Sequence, residues 1–327
     1  MHLIRRFCDF DEFAVKLSNM GFCGCSMPIT CYLLSPRGYC SGVTRAVNMA
    51  NQVMKLYGNF YVTEDVVHNK VFVKQLEQQG MTKVESIEDI PDGATVLFSA
   101  HGVSPQVVDR AEKKGLTVID ATCPIVKSIQ NEVKLASEQG KKIIIIGHKS
   151  HAEIVALMGY ACDTKFYVVF NEIDIDLLPD FSDDEVVYFT QTTLDYSMVE
   201  RMITKLTERF PGIKSGSKNN VCYATRERQD VVRKVAKTID LLLVIGSSHS
   251  SNAKRLIEVA LSSGAKKALL IDSKDDLNIS ELNEVRSMAV TSAASTPEEL
   301  VQDLMKYLQE KLDVVVKEFS VKDDAEG

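Results

Sequence analysis

One spacing occurs three times in this chain: Cys40, Cys123 and Cys222 are each followed 28 positions later by a polar residue at the end of an apolar run, namely His68, His151 and Ser250. A recurrence with the same chemistry at both ends marks copies of one supersecondary unit, so three thiols and three polar groups are expected to meet at one centre. Each unit reads in the same order: cysteine, amphipathic helix, apolar strand with a polar end, helix, second strand with a small polar end, next cysteine. The first strands read YVTEDVVHN, KKIIIIGHKSH and DLLLVIGSSHSSN, and the second TVLFSAHG, VVYFTQTT and SMAVTSAAST. Their polar ends His101, Thr192 and Ser295 lie 33, 41 and 43 residues beyond His68, His151 and Asn252. The third unit has no cysteine after Ser295. Cys40 then serves it from the N-terminal side, and the ring closes.

Helix and strand signals support that order. Val43, Ala46, Val47, Ala50, Val53 and Met54 recur at helical spacing directly after Cys40, and Gly58 ends the run, so Cys40 is expected at a helix start. Ser104-Pro105 reads as N-cap and first helical residue; Gly115, Gly140 and Gly264 read as helix ends. Thr296-Pro297-Glu298-Glu299 opens another helix. Ile143 to Ile146 and Leu241 to Ile245 are unbroken apolar runs, the pattern of strands covered on both faces in parallel α/β sheets. The expected fold is therefore three small α/β lobes, at 41–123, at 124–218 and at 31–40 with 219–312. An extension at 1–30 precedes them, and a strand and frayed tail at 313–327 follow.

Composition narrows the function classes. The 327 residues are 45% hydrophobic and 25% charged with a net charge of −7, and Lys and Arg form no dense block, which argues against a nucleic-acid surface. No run approaches the ~20 apolar residues that span a bilayer, and no signal segment opens the chain, so a cytoplasmic protein is expected. In that compartment the 8 cysteines read as thiols or metal ligands and not as disulfides. Cys8, Cys23 and Cys25 lie in the extension, with Cys31 just beyond; the segment reads either as a plain extension or as a second metal site at Cys23, Cys25 and Cys31. No G-x-G-x-x-G or P-loop is present to hold a flavin or nicotinamide.

The segments PRGYCSGV, VVHN, SAHG, DATCP, SHAE, TQTT, VCYATRERQ, SSN and AAST occur in that order, and together they resemble the 4-hydroxy-3-methylbut-2-enyl diphosphate reductase family from about residue 33 to residue 312. The resemblance implies a three-lobed cloverleaf around a [4Fe-4S] cluster. It also implies reductive removal of a hydroxyl from an allylic diphosphate to give isopentenyl and dimethylallyl diphosphates, with electrons from a ferredoxin or flavodoxin. It assigns Cys40, Cys123 and Cys222 as ligands, Glu153 in SHAE as the acid, and Thr192 in TQTT as a contact to the substrate hydroxyl.

The residues fit that chemistry on their own terms. Three thiolates leave one iron of a cubane cluster open, where an alcohol oxygen can bind and receive electrons; a three-thiolate zinc site is the other reading of the same residues. His68, His101 and His151, with Ser250, Ser251, Asn252 and Ser295, can donate hydrogen bonds to a diphosphate, helped by helix N-termini. Near a diphosphate and away from water, the Glu153 carboxyl would be pushed toward its neutral form and could give up a proton. Taken alone, it is also a first-turn glutamate that favours the helix dipole. Three departures from the family pattern stand out: Ala293 where a glycine is usual, SHAE without a proline before Glu153, and His249 where an amide is common. The rival functions are a quinolinate-synthase-like cluster enzyme, which would bind small carboxylates, and a non-enzymatic iron-sulfur sensor, which would leave Glu153 and the histidines idle.

Overall fold

The computed structural model describes residues 28–161, 165–181, 185–217 and 221–320. Cys8, Cys23 and Cys25 lie outside the described residues. The chain begins with β1 (Ile29–Ser35), α1 (Ser41–Tyr57), β2 (Phe60–Val62), α2 (Lys70–Gln79), β3 (Met81–Lys83), β4 (Thr95–Phe98), α3 (Pro105–Lys113) and β5 (Thr117–Asp120). The second unit follows as α4 (Pro124–Glu138), β6 (Lys142–Ile146), α5 (Ala152–Met158), β7 (Phe166–Val169), α6 (Glu172–Asp176), β8 (Val186–Thr190), α7 (Tyr196–Arg209) and β9 (Lys214–Ser215). The third comprises α8 (Tyr223–Ala236), β10 (Leu241–Ile245), α9 (Ser251–Ser262), β11 (Lys267–Ile271), β12 (Ser287–Ser292), α10 (Glu298–Lys311) and β13 (Val314–Ser320).

These strands form three parallel sheets, in the orders β3-β2-β4-β5, β7-β6-β8-β9 and β11-β10-β12-β1-β13. The first two sheets share one order, and β1 takes in the third the place that β5 and β9 take in theirs. Each of these strands leads into a cysteine. The N-terminal strand thus completes the last lobe, and β13 adds outside it with Ile29 opposite Val314 through Ser35 opposite Ser320.

Both faces of the sheets are covered, as the unbroken apolar runs require. In β10, Leu242 and Val244 pack into one core with Val232, Val235 and Leu256, while Leu241, Leu243 and Ile245 pack into another with Leu304 and Leu308. Cys31 lies in the second of these cores, where burial pushes its thiol up to about 12. Helix ends follow the local chemistry. Gly58 closes α1 in the left-handed region at φ 74°, and Ser104 with Pro105 opens α3. The last helix opens at Glu298 with Pro297 in the cap position, because the Thr296 hydroxyl instead donates to the Ile245 carbonyl at 2.9 Å.

Candidate active site

Cys40, Cys123 and Cys222 are the N-cap residues of α1, α4 and α8. Each cysteine N–H donates to the carbonyl at the end of the neighbouring strand: Cys40 to Ala294, Cys123 to Ala100 and Cys222 to Thr192, all at 3.0 Å. Three equal bonds reveal the threefold relation and fix the register. Ala100, Thr192 and Ala294 are the equivalent positions, so His101 and Ser295 match Thr193 and not Thr192 as the spacing suggested. The first strand ends need a similar correction. His151 and Ser250 are themselves N-caps, of α5 and α9, whereas α2 is capped by Asn69, one residue beyond His68.

The thiols sit where backbone N–H groups converge. The Cys40 sulfur accepts from Val43 N–H at 3.5 Å. Burial pushes the Cys123 and Cys222 thiols up, and N–H groups of Ile125 and Val126, and of Ala224 and Thr225, pull against that shift by favouring thiolate. Gly42 permits the close approach: a Cβ there would stand 2.6 Å from the Cys123 sulfur.

One cavity is lined by the three cysteines, His68, His101, His151, Glu153, Thr192, Ser250, Ser251, Asn252 and Ser295. His68 and His101 have ring centroids 4.3 Å apart, with His151 at 6.2 and 5.8 Å from them. Burial first, then the charge of neighbouring histidines, holds His101 well below its ordinary value and His151 at about 4. Burial therefore favours the neutral form of both rings. His151 Nδ1 accepts from Glu153 N–H at 3.2 Å, which assigns the ring proton to Nε2. That Nε2, His68 Nδ1 and Asn252 Nδ2 are buried without a partner. Ser250 Oγ accepts from Ala253 N–H and Ser251 Oγ accepts from Thr193 Oγ1, so both hydroxyl hydrogens stay free to be donated. Ser295 differs, since its hydroxyl donates to the His68 carbonyl at 2.9 Å and ties the third lobe to the first.

Glu153 is 2% exposed, and both its oxygens are engaged by Thr192: the backbone N–H donates to Oε1 at 3.0 Å and the hydroxyl to Oε2 at 2.9 Å. Burial raises its carboxyl to about 7 although both Thr192 bonds favour the charged form. Asn252 occupies the same place in the third lobe, two residues past its helix cap, and its Oδ1 accepts from Ala294 N–H at 3.0 Å.

Other residues carry the site without having been singled out by spacing. Gln191 is fully buried; its Oε1 accepts from His148 N–H at 3.0 Å and its Nε2 donates to Thr193 Oγ1 at 2.8 Å. Its signal was the place between Thr190 and Thr192 in TQTT. Ala293, where a glycine is usual, does not line the cavity: it packs behind it, close enough that a Cβ on Gly246 would lie 2.9 Å from its own. His249 is exposed and His148 lies against the Phe170 ring, with centroids 3.7 Å apart.

Fold and cavity together define a ring of three parallel α/β lobes whose shared pocket joins three helix-capping thiols to neutral hydrogen-bond donors and one buried acid. A family model described as LytB protein matches residues 31–309, and the chain belongs to that family. It is 42% identical over 281 residues to 4-hydroxy-3-methylbut-2-enyl diphosphate reductase of Haemophilus influenzae (strain PittGG), covering 85% of this chain and 89% of that one. To the protein of the same name from Tropheryma whipplei (strain TW08/27) it is 43% identical over 277 residues, covering 84% and 88%. Among solved structures it resembles the E-1-hydroxy-2-methyl-but-2-enyl-4-diphosphate reductase from Plasmodium falciparum, with a TM-score of 0.85 at 35% identity over 89% of this chain and 92% of that one.

Proposed function

We propose that this chain reduces 4-hydroxy-3-methylbut-2-enyl diphosphate to isopentenyl and dimethylallyl diphosphates, using a [4Fe-4S] cluster held by Cys40, Cys123 and Cys222. The observation that carries this reading is the convergence of three capped thiols, unpartnered donors and a proton-holding carboxyl on one cavity. The donor set fits the cluster. All three ligands are soft thiols, and Val43, Val67, Val126 and Ala224 give the pocket apolar walls. When bound, such a cluster supplies electrons and, at its open iron, a Lewis acid.

The chain's own residues do the rest. His151 Nε2–H, Asn252 Nδ2–H and the Ser250 and Ser251 hydroxyls are placed to donate to the diphosphate, beside His68 and His101. An anion would restore the charge that burial removes from these rings, so binding should draw protons into the site. Reduction consumes two electrons and two protons: the allylic C–O bond breaks, the hydroxyl leaves as water, and hydrogen is delivered to the allyl fragment. Glu153, half-protonated near neutrality, would hold the proton for the leaving oxygen, and Thr192 Oγ1 would pass it across. Electrons would come from a ferredoxin or flavodoxin. We place the reaction in the cytoplasm: the described cysteines are free thiols, and no helix among the described residues is long and apolar enough to cross a membrane.

The test is anaerobic oxidation of reduced methyl viologen on adding the substrate to reconstituted protein, with products identified. Substrate-dependent oxidation yielding the two isoprenoid diphosphates is expected; no reaction from iron-loaded protein would overturn the assignment. Replacing any one of Cys40, Cys123 or Cys222 with serine should lose the cluster. Retained iron and activity in such a variant would remove that residue from the ligand set.

A further inference from the structure

Six residues past each capping cysteine, the three thiol-headed helices carry Ala46, Ile129 and Arg228, which are 0%, 1% and 3% exposed. Two lobes fill this buried place with an apolar side chain. The third fills it with a guanidinium, which cannot shed its proton and loses most of its hydration. Packing alone does not call for it, since alanine and isoleucine serve its two counterparts.

The surroundings only partly offset that cost. Arg228 Nη2 donates to the Gly38 carbonyl at 2.7 Å and Nη1 to the Ala224 carbonyl at 2.9 Å, while Nε is buried without a partner. No carboxylate pairs with it among the described residues. Burial pulls its pKa down, and the charges acting against that pull are those at Cys40 and Cys222 before that of Glu227. The Glu227 carboxylate is already engaged at the surface by the Tyr223 hydroxyl. Gly38, whose carbonyl Arg228 holds, lies in the left-handed region at φ 76° in the turn that presents Cys40.

We propose that Arg228 is a positioning residue that acts as the buried counter-charge to the Cys40 and Cys222 thiolates and so raises the reduction potential of the metal centre they hold. The inference rests on the cluster reading above. Reduction adds negative charge to the centre, and a fixed, poorly screened positive charge behind two of its ligands favours the reduced form. The same guanidinium fixes the Cys40 turn through Gly38.

The test compares wild type, R228K and R228M after anaerobic reconstitution, by iron content and by a potentiometric titration followed by electron paramagnetic resonance. R228M should load iron and, at a fixed potential, show about a tenfold lower ratio of reduced to oxidised centre, equivalent to about 59 mV for a one-electron couple. R228K should recover most of the shift. Loading by R228K but not by R228M would also support a need for charge at this place. An unchanged potential in fully loaded R228M overturns the proposal, as does failure of both variants to load where wild type succeeds, which would mark Arg228 as scaffold alone. A wild-type protein that binds no iron overturns the cluster reading itself and takes this proposal with it.

Discussion

Two residues past the helix cap, the second lobe has Glu153 and the third has Asn252, and each places a side-chain oxygen 3.0 Å from the backbone N–H at the end of a neighbouring strand, Thr192 in one case and Ala294 in the other. Those strand ends in turn accept from Cys222 and Cys40. An amide therefore meets the structural demand as well as a carboxyl does. What the second lobe has in addition is a group that can hold a proton near pH 7, backed by a threonine hydroxyl where the third lobe has only alanine. The comparison separates what holds the cavity together from what gives it chemistry.

The largest effect should come from making the second lobe like the third. E153Q should keep the Thr192 bond, the metal centre and diphosphate binding while turnover falls by about 10²-fold or more, as expected for loss of a general acid. Steady-state turnover measured beside diphosphate affinity checks this, and unchanged turnover would erase the distinction between the lobes.

A pH profile sharpens the same point. Because burial raises the Glu153 carboxyl to about 7, it carries its proton below that pH and loses it above. Turnover limited by this proton should decline on the alkaline side, by up to about tenfold per pH unit. T192V removes a donor to the charged form, so the limb should move to higher pH. A profile unmoved by both T192V and E153Q would assign the limb to another group.

Smaller effects are expected in the third lobe, where Asn252 and Ser250 hold the frame as well as face the cavity. N252A leaves the half-buried Ala294 N–H without its acceptor and should cost about 1 kcal/mol of stability, read from denaturant unfolding. S250A removes the α9 cap and should cost about 1 kcal/mol by the same measurement. Unchanged stability in N252A would contradict the structural part of the division drawn between the lobes.

Much of this arrangement was legible in the sequence because it is local or periodic. The helix after Cys40 follows from its apolar spacing and Gly58, and the buried strands follow from Ile143 to Ile146 and Leu241 to Ile245. Register was read less well. Counting from the cysteines matched His68 with His151 and Ser250, although Asn69 is the residue that shares their capping position, because an imidazole and an amide at adjacent positions look alike to a spacing count. The pairing of Thr192 with Glu153 joins residues on different strands of chain and is set by sheet order, which no local pattern encodes. Arg228 was hidden for a related reason: in VCYATRERQ it reads as one more surface base, and only the fold buries it against the Gly38 and Ala224 carbonyls, each two residues from a capping cysteine.

The position of β1 in the third sheet has a consequence for how the protein is made. The strands of the first and second sheets are contiguous in sequence, but β1 pairs with β12 and β13, so residues made first must wait for residues made nearly last. Such long-range pairing closes slowly, while the two local lobes can fold as they emerge. Cys40 donates to Ala294 only once that pairing is made, so completion of the proposed metal centre is confined to a nearly finished chain, and a truncated product would be left without a complete site.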